Sequence, residues 1–144
     1  MIQEKYWIIV ASKDHAQRGT SEGVAQACHG KEAPLKRMKP GDWVIIYSSK
    51  EHFGSGEKYQ KFTAIGRVKD EVVYQFEMSR DFKPFRRNIT YYACSEVAII
   101  PLVERLEFIQ NKKQWGYPFR FGFFEIAEQD FNVIAGEMLQ TVEV

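Results

Sequence analysis

The chain has 144 residues, 44% of them hydrophobic and 15% aromatic, and its 20 basic and 19 acidic side chains leave a net charge of +1. That length and apolar share are enough for one self-supporting core over residues 1–144 and argue against disorder, while the small net charge leaves any case for nucleic-acid binding to the distribution of charge. Apolar runs such as 8–11 and 97–101 are far shorter than the roughly 20 residues of a membrane-spanning helix, no secretory leader opens the chain, and two cysteines, Cys28 and Cys94, make no disulfide framework; the expectation is a cytoplasmic domain with reduced, buried thiols and no membrane partner.

The first predicted strand is 6–11, a run of aromatic and β-branched residues read as central and buried on both faces. In the cluster at 19–23, Thr20 or Ser21 can cap a short helix running to Cys28, with Gly30 as its left-handed C-cap. Lys39-Pro40-Gly41-Asp42 predicts a turn into a strand over 43–47. A loop rich in Gly, Ser and charge over 52–58 leads to strands at 62–68 and 72–78, split by Lys69-Asp70-Glu71, with Gly66 marking a bulge or a close backbone approach. The stretch 79–87 is polar, basic and interrupted by Pro84, and predicts a loop carrying Phe82 and Phe85. Strand signals return over 89–94 and 96–100 and end at Pro101. Leu102, Leu106 and Ile109 then keep helical spacing, and 115–118 turns into a strand over 119–124. The last helix, 127–139, aligns Phe131, Ile134 and Met138 on the face that would seal a barrel. About six strands and two to four helices around one core make an α+β arrangement.

Positive charge gathers in two places, Lys31, Lys36, Arg37 and Lys39 in one and Arg80, Lys83, Arg86 and Arg87 in the other. Phosphate loops, paired carboxylates and zinc spacings are missing from the sequence, which weighs against the commonest enzyme classes and implies neither metal nor cofactor. Cys28 and His29 are neighbours, so on a helix their side chains diverge by about 100° and do not form a nucleophile–base pair. Polar residues collect instead around the end of the first strand and the first helix: Ser12, Lys13, His15, Gln26, His29 and Lys31. On a helix Gln26 and His29 share a face, and together with Lys13 they offer the donors and acceptors that reading a base edge and a phosphate requires.

At these residues the sequence resembles the EVE domain family, which belongs with the PUA, ASCH and YTH domains. Four stretches carry the likeness: YWIIVASKDH from Tyr6, GVAQACHGK from Gly23, KPGDWVIIYSS from Lys39 and FTAIGRV from Phe62. A fifth, WGYPFRFGFFEIAEQDF from Trp115, is similar to the C-terminal part of the family. The resemblance implies a PUA-like mixed β-barrel with short helices packed around it and a pocket for a base between the first strand's end, the first helix and nearby loops. In the related YTH readers of methylated adenine a tryptophan of the pocket's cage comes from the helix after the first strand. Ala25 and Gln26 stand there in this sequence, so that ligand does not carry over.

Trp7, Trp43, Tyr47, Phe53, Phe82, Phe85 and Trp115 are the rings available for walls, and Trp7 and Trp43, lying in strands, read as core. The expected base-binding set is Ser12, Lys13, His15, Gln26, His29, Gly30, Lys31, Tyr47, Ser48, Phe82 and Phe85, with Arg86 and Arg87 on phosphates. The expected partner is DNA or RNA carrying a modified base, held by a monomer without catalysis. Two other readings stay open. Some ASCH-type relatives resemble hydrolases or ribonucleases, for which Lys13 with His15 or His29 would supply acid–base groups; alternatively, the domain is a protein-interaction module whose pocket is vestigial.

Overall fold

Tyr6–Val10 combines aromatic and β-branched side chains, which pack well on a pleated surface, and forms strand β1 in the interior of a sheet. The computed structural model describes residues 3–54 and 56–139. On one side β1 pairs in parallel with β3 (Trp43–Lys50), Tyr6 opposite Trp43 and Val10 opposite Tyr47. On the other it pairs antiparallel with β7 (Phe123–Ile126). A parallel pair needs a long crossover, and residues 11–42 supply it as helix α1 (Lys13–Glu22), the short strand β2 (Val24–Ala25) and helix α2 (Glu32–Arg37). β3 returns into β4 (Lys58–Gln75), which lies between β3 and β5 (Phe85–Tyr92), and β6 (Val97–Ala98) adds to the start of β4.

The strand order is β2-β5-β4-β3-β1-β7, with β6 beside this path. Among the described residues no ladder joins β2 to β7, so the sheet is open and the expected barrel is corrected to an α+β fold on an open seven-stranded sheet. Closure needs end strands long enough to share a continuous, tilted register. β2 has two residues and β7 four.

Side chains alternate across this sheet with the period of two that a strand imposes. Ile8, Ile45 and Tyr47 enter one core with the helix α3 (Glu128–Leu139), whose Phe131, Ile134 and Met138 are buried as the spacing predicts. Trp7, Ile9, Val44 and Ile46 enter the other, with Ala16 of α1 and Leu35 of α2. Gly66 marks the close approach: a Cβ there would lie 2.6 Å from the Thr90 carbonyl oxygen and 2.8 Å from Ile89 Cγ2.

Several local expectations change; the strand predicted over 119–124 is the end of a 3-10 helix, Tyr117–Phe121, and the start of β7, and the helical spacing from Leu102 is met by a 3-10 helix, Ile100–Arg105. The first helix occupies Lys13–Glu22, earlier than predicted, because Gly23 takes a left-handed φ of 72° and ends it, its N–H donating to Gly19 O; Val24 and Ala25 then pair with Asn88 and Arg87. The strands predicted at 62–68 and 72–78 are one strand, β4, with a register slip against β5 between Val68 and Val73. Side chains of β5 satisfy the slip: Arg87 donates twice to Asp70 O, at 3.0 and 2.7 Å, and Asn88 Nδ2 donates to Asp70 Oδ2 at 3.0 Å. The basic loop is correspondingly shorter, since Phe85, Arg86 and Arg87 belong to β5.

The start of the parallel pair is tied by Asp42, which is 3% exposed. Its carboxylate accepts from Lys5 N–H at 3.0 Å, Trp7 Nε1 at 2.9 Å and Lys39 N–H at 2.9 Å. Asp42→Ala would leave three donors without their acceptor, the buried Trp7 indole among them, and is expected to lower stability by about 3 kcal/mol, measured as a lower urea midpoint at unchanged m.

Candidate functional site

Both parallel strands run toward the same end of the sheet, and the chain leaving β1 is clamped there. Val10 N–H donates to Gly122 O at 2.9 Å and Ala11 N–H to Tyr47 O at 3.0 Å. Ser12 follows as the extended N-cap of α1. Against this exit packs a turn in which three successive residues are left-handed, Cys28 (φ 50°), His29 (φ 61°) and Gly30 (φ 84°). For the two L-residues that conformation costs about 1–2 kcal/mol each. Ala27 O fastens it by accepting from Gly30 N–H at 3.0 Å and Lys31 N–H at 3.1 Å.

Packing on either flank fixes the turn further. Cys28 Sγ lies 3.8 Å from Phe121 O and 3.3 Å from where a Cβ on Gly122 would stand. A Cβ on Gly30 would come within 2.4 Å of Pro84 Cβ and 3.4 Å of the Phe82 ring, and Gly30 O accepts from Phe85 N–H at 2.9 Å. His29 is exposed, and its chain neighbours touch Phe121–Gly122 on one side and Phe82–Pro84 on the other. Phe82 and Phe121 are themselves 40% and 61% exposed. His29 thus belongs to an exposed turn whose two flanks pack on segments that each carry a solvent-facing ring, Phe82 and Phe121.

A second polar cluster surrounds the start of α1. Ser12 Oγ donates to Asp14 Oδ1 at 2.5 Å, His15 N–H donates to the same oxygen at 2.9 Å, and His52 Nδ1 lies 3.8 Å from Asp14 Oδ2. Burial works to raise the Asp14 pKa, but the hydrogen bonds from Ser12 and His15 outweigh it and hold the carboxyl below its ordinary value. The His15 ring stacks on Phe53 at 5.1 Å. Lys13 Nζ donates to Tyr59 OH at 2.6 Å and lies 3.6 Å from Glu96, to which Tyr59 also donates. The Tyr59 hydrogen bond, with Glu96 adding to it, pushes the Lys13 pKa up. Tyr59 and Glu96 thereby favour the charged form of Lys13.

The remaining predicted residues are spread more widely. Gln26 follows β2 rather than lying on a helix, so it shares no helix face with His29, and its Nε2 meets Met78 Sδ at 3.3 Å. Lys31 is the exposed N-cap of α2. The Tyr47 ring is buried and stacks on Phe119 at 4.0 Å, and burial drives its phenol pKa up. Ser48 is buried in a 2.8 Å hydrogen bond with Thr63 Oγ1. Phe85 is half-buried against the second core. Arg87 is 2% exposed and donates to Leu35 O and Met38 O, both at 2.7 Å, as well as to Asp70 O. Arg86, 4% exposed, pairs with Glu22 at 2.8 Å and lies 4.0 Å from the centre of the Phe76 ring. Neither guanidinium faces solvent as the predicted loop would have placed it.

Cys28 and Cys94 are free and half-buried rather than fully so, and Cys28 lies in a turn instead of a helix. Among the described residues no three His, Cys, Asp or Glu side chains gather into a metal-binding set, and no helix is long and apolar enough to cross a membrane. The sequence reading passed over Tyr117, Arg120 and Phe121, which project from the 3-10 helix Tyr117–Phe121 that abuts the Cys28 turn. Their signal was the run GYPFRFGFF, an aromatic density greater than one strand can bury.

A model of the family described as EVE domain matches residues 5–137. The chain is 50% identical over 129 residues to the UPF0310 protein in the gntR 5' region of Bacillus licheniformis, a match covering 90% of this chain and 88% of the relative. It is 44% identical over 133 residues to the UPF0310 protein YdcG of Bacillus subtilis, covering 92% and 91%. Among solved structures it is similar to the NMR structure of Rpa0253 from Rhodopseudomonas palustris, with a TM-score of 0.57 at 12% identity over 92% of both chains. The crystal structure of PSPTO5229 from Pseudomonas syringae gives 0.57 at 12% identity over 91% and 97%. At 12% identity both likenesses concern the fold alone.

The turn makes two neighbouring substitutions act in opposite directions. Gly30→Ala meets Pro84 in a conformation that L-residues avoid, and is expected to lower stability by about 2–4 kcal/mol. His29→Gly relieves the same conformation and is expected to leave stability unchanged or raise it by up to about 1 kcal/mol. Urea midpoints of the two variants against the parent chain measure both.

Proposed function

Because the chain belongs to the EVE domain family, which is generally associated with binding modified nucleic-acid bases, we propose that it holds one base of DNA or RNA, turned out of its stack, at the carboxyl end of β1. The observation that carries this reading is the left-handed turn at Cys28, His29 and Gly30. A backbone held in a costly conformation by packing on both flanks is what a site pays for when a side chain must stand in one place. The side chain it presents, an imidazole, offers a donor and an acceptor to a base edge. Ser12, at the exit of β1, is the second polar group of the same end of the sheet, and the carboxyl ends of parallel strands are where open sheets commonly take ligands.

Stacking falls to Phe82, since Ala25 and Gln26 lie where the YTH readers bring their tryptophan. Phosphates then meet exposed cations such as Lys31, Lys83 and Arg120, while Arg86 and Arg87 hold the fold. In this reading the domain acts as a binder rather than a catalyst.

A methyl or similar substituent is worth about 1–3 kcal/mol in such a site, so a modified base should bind roughly ten- to two-hundredfold more tightly than its parent. Unpaired ligands should also bind better than duplexes, which must first surrender a base at a cost of a few kcal/mol. Calorimetry with N6-methyladenine, 5-methylcytosine and 5-hydroxymethylcytosine, each as nucleoside and within ribo- and deoxyribo-oligonucleotides beside the unmodified parents, measures both differences. His29→Gly, which keeps the fold, should weaken the preferred ligand at least tenfold. Equal affinity for every modified and parent base, together with no effect of His29→Gly, would sink the reading.

A further inference from the structure

The 3-10 helix Tyr117–Phe121 has features that its role in the fold does not explain. It is pinned to the core by Phe119, which stacks on Tyr47, and it ends at Gly122 in a left-handed conformation. In a 3-10 helix side chains at i and i+3 eclipse. Tyr117 and Arg120 accordingly lie together, the guanidinium 5.7 Å from the centre of the ring. Phe121 stands edge-on to Tyr117, with ring centres 5.7 Å apart. Tyr117 and Phe121 are 54% and 61% exposed, although a chain with two well-filled cores has no packing need to display them. Tyr117 and Arg120, with Gln114 and Gly116, also line a surface cleft of about 520 Å³, within the roughly 300–1,000 Å³ of ligand sites.

Charge indicates what covers these rings. From residue 108 to 124 there is no Asp or Glu, whereas Lys112, Lys113 and Arg120 are all present. Lys112 is bound to the Val103 and Leu106 carbonyls, which leaves Lys113 and Arg120 as exposed cations beside exposed rings. Rings interleaved with cations suit a single nucleic-acid strand, whose bases stack while its phosphates meet the positive charge. The helix also adjoins the base site, because Phe121 O is the oxygen that Cys28 Sγ approaches. We propose that Tyr117, Arg120 and Phe121 form a stacking platform for the nucleotide that flanks the held base, so that the ligand is a single strand rather than a free nucleoside. This inference rests on the base-binding reading above and adds to it the class of ligand.

The test compares heptanucleotide single strands, with N6-methyladenine, 5-methylcytosine or an unmodified base at the centre, with the matching nucleosides. Phe121→Ala is expected to weaken the heptanucleotides about five- to a hundredfold, whatever the central base, with nucleoside affinity within about twofold of the parent chain; Phe121→Trp should restore binding. Arg120→Gln should lower the slope of log K against log salt by about 0.7, the contribution of one phosphate on a single strand. Thermal unfolding at an unchanged midpoint shows that these exposed substitutions leave the fold intact. If heptanucleotides bind Phe121→Ala as well as the parent while nucleosides still bind, the platform is wrong and the base site stands. If nucleosides and heptanucleotides weaken together, Phe121 is a wall of the base site and the platform is again wrong. Failure of the parent chain to bind either class removes both readings.

Discussion

One buried carboxylate sets the alignment of the two parallel strands around which this molecule is arranged. Asp42 collects the Lys5 and Lys39 N–H groups and the Trp7 indole at the amino ends of β1 and β3, and so aligns two strands that their own backbone could pair in several registers. With Tyr6 fixed opposite Trp43, Val10 falls opposite Tyr47. The exit from β1 then meets the Tyr47 carbonyl on one side and Gly122 on the other. Because the pair is parallel, the chain must travel across the sheet and return between them, and that crossover delivers Ser12, Cys28 and His29.

A second constraint comes from β5. Its adjacent arginines would be obvious phosphate ligands in a loop, but alternation along a strand sends them to opposite faces. Arg87 binds the Leu35 and Met38 carbonyls at the end of α2 and the Asp70 carbonyl where β4 slips its register. Arg86 lies against Phe76 and Glu22, with its buried Nε unpartnered. Burying a guanidinium is costly unless its donors are met, and Arg87 meets that condition with three backbone carbonyls. The two arginines of this strand thus serve the architecture.

The polar cluster near α1 divides for a related reason. Ser12, Lys13, His15, Gln26 and His29 are close in sequence, but Lys13 and His15 lie in the first turn of α1 and seven further residues of that helix stand between His15 and the last two, a span of about 10 Å. His15 stacks on Phe53 and Lys13 is engaged by Tyr59 and Glu96 at the start of α1. Gln26 turns to Met78. His29 lies apart in its turn, and the rings on the segments that flank this turn come from 53 and 92 residues further along the chain, at Phe82 and Phe121.

Several properties of the protein were legible in the amino-acid order alone: the central strand at Tyr6–Val10, the Lys39–Asp42 turn, the close approach at Gly66, the buried face of α3 and the family to which the chain belongs. These depend on local periodicity, on turn chemistry or on a likeness spanning most of the chain. Tertiary structure alone decided that the sheet stays open, that Gly23 ends α1 rather than lying within a helix, that Arg86 and Arg87 turn inward, and that Tyr117, Arg120 and Phe121 face solvent. Each of those outcomes depends on a partner distant in sequence, such as Asn88 for Val24, the Leu35 carbonyl for Arg87 or Tyr47 for Phe119. A local reading weighs a glycine, an arginine or a ring by its neighbours, whereas the conformation it takes is settled by whichever distant group can satisfy its backbone, its charge or its apolar surface.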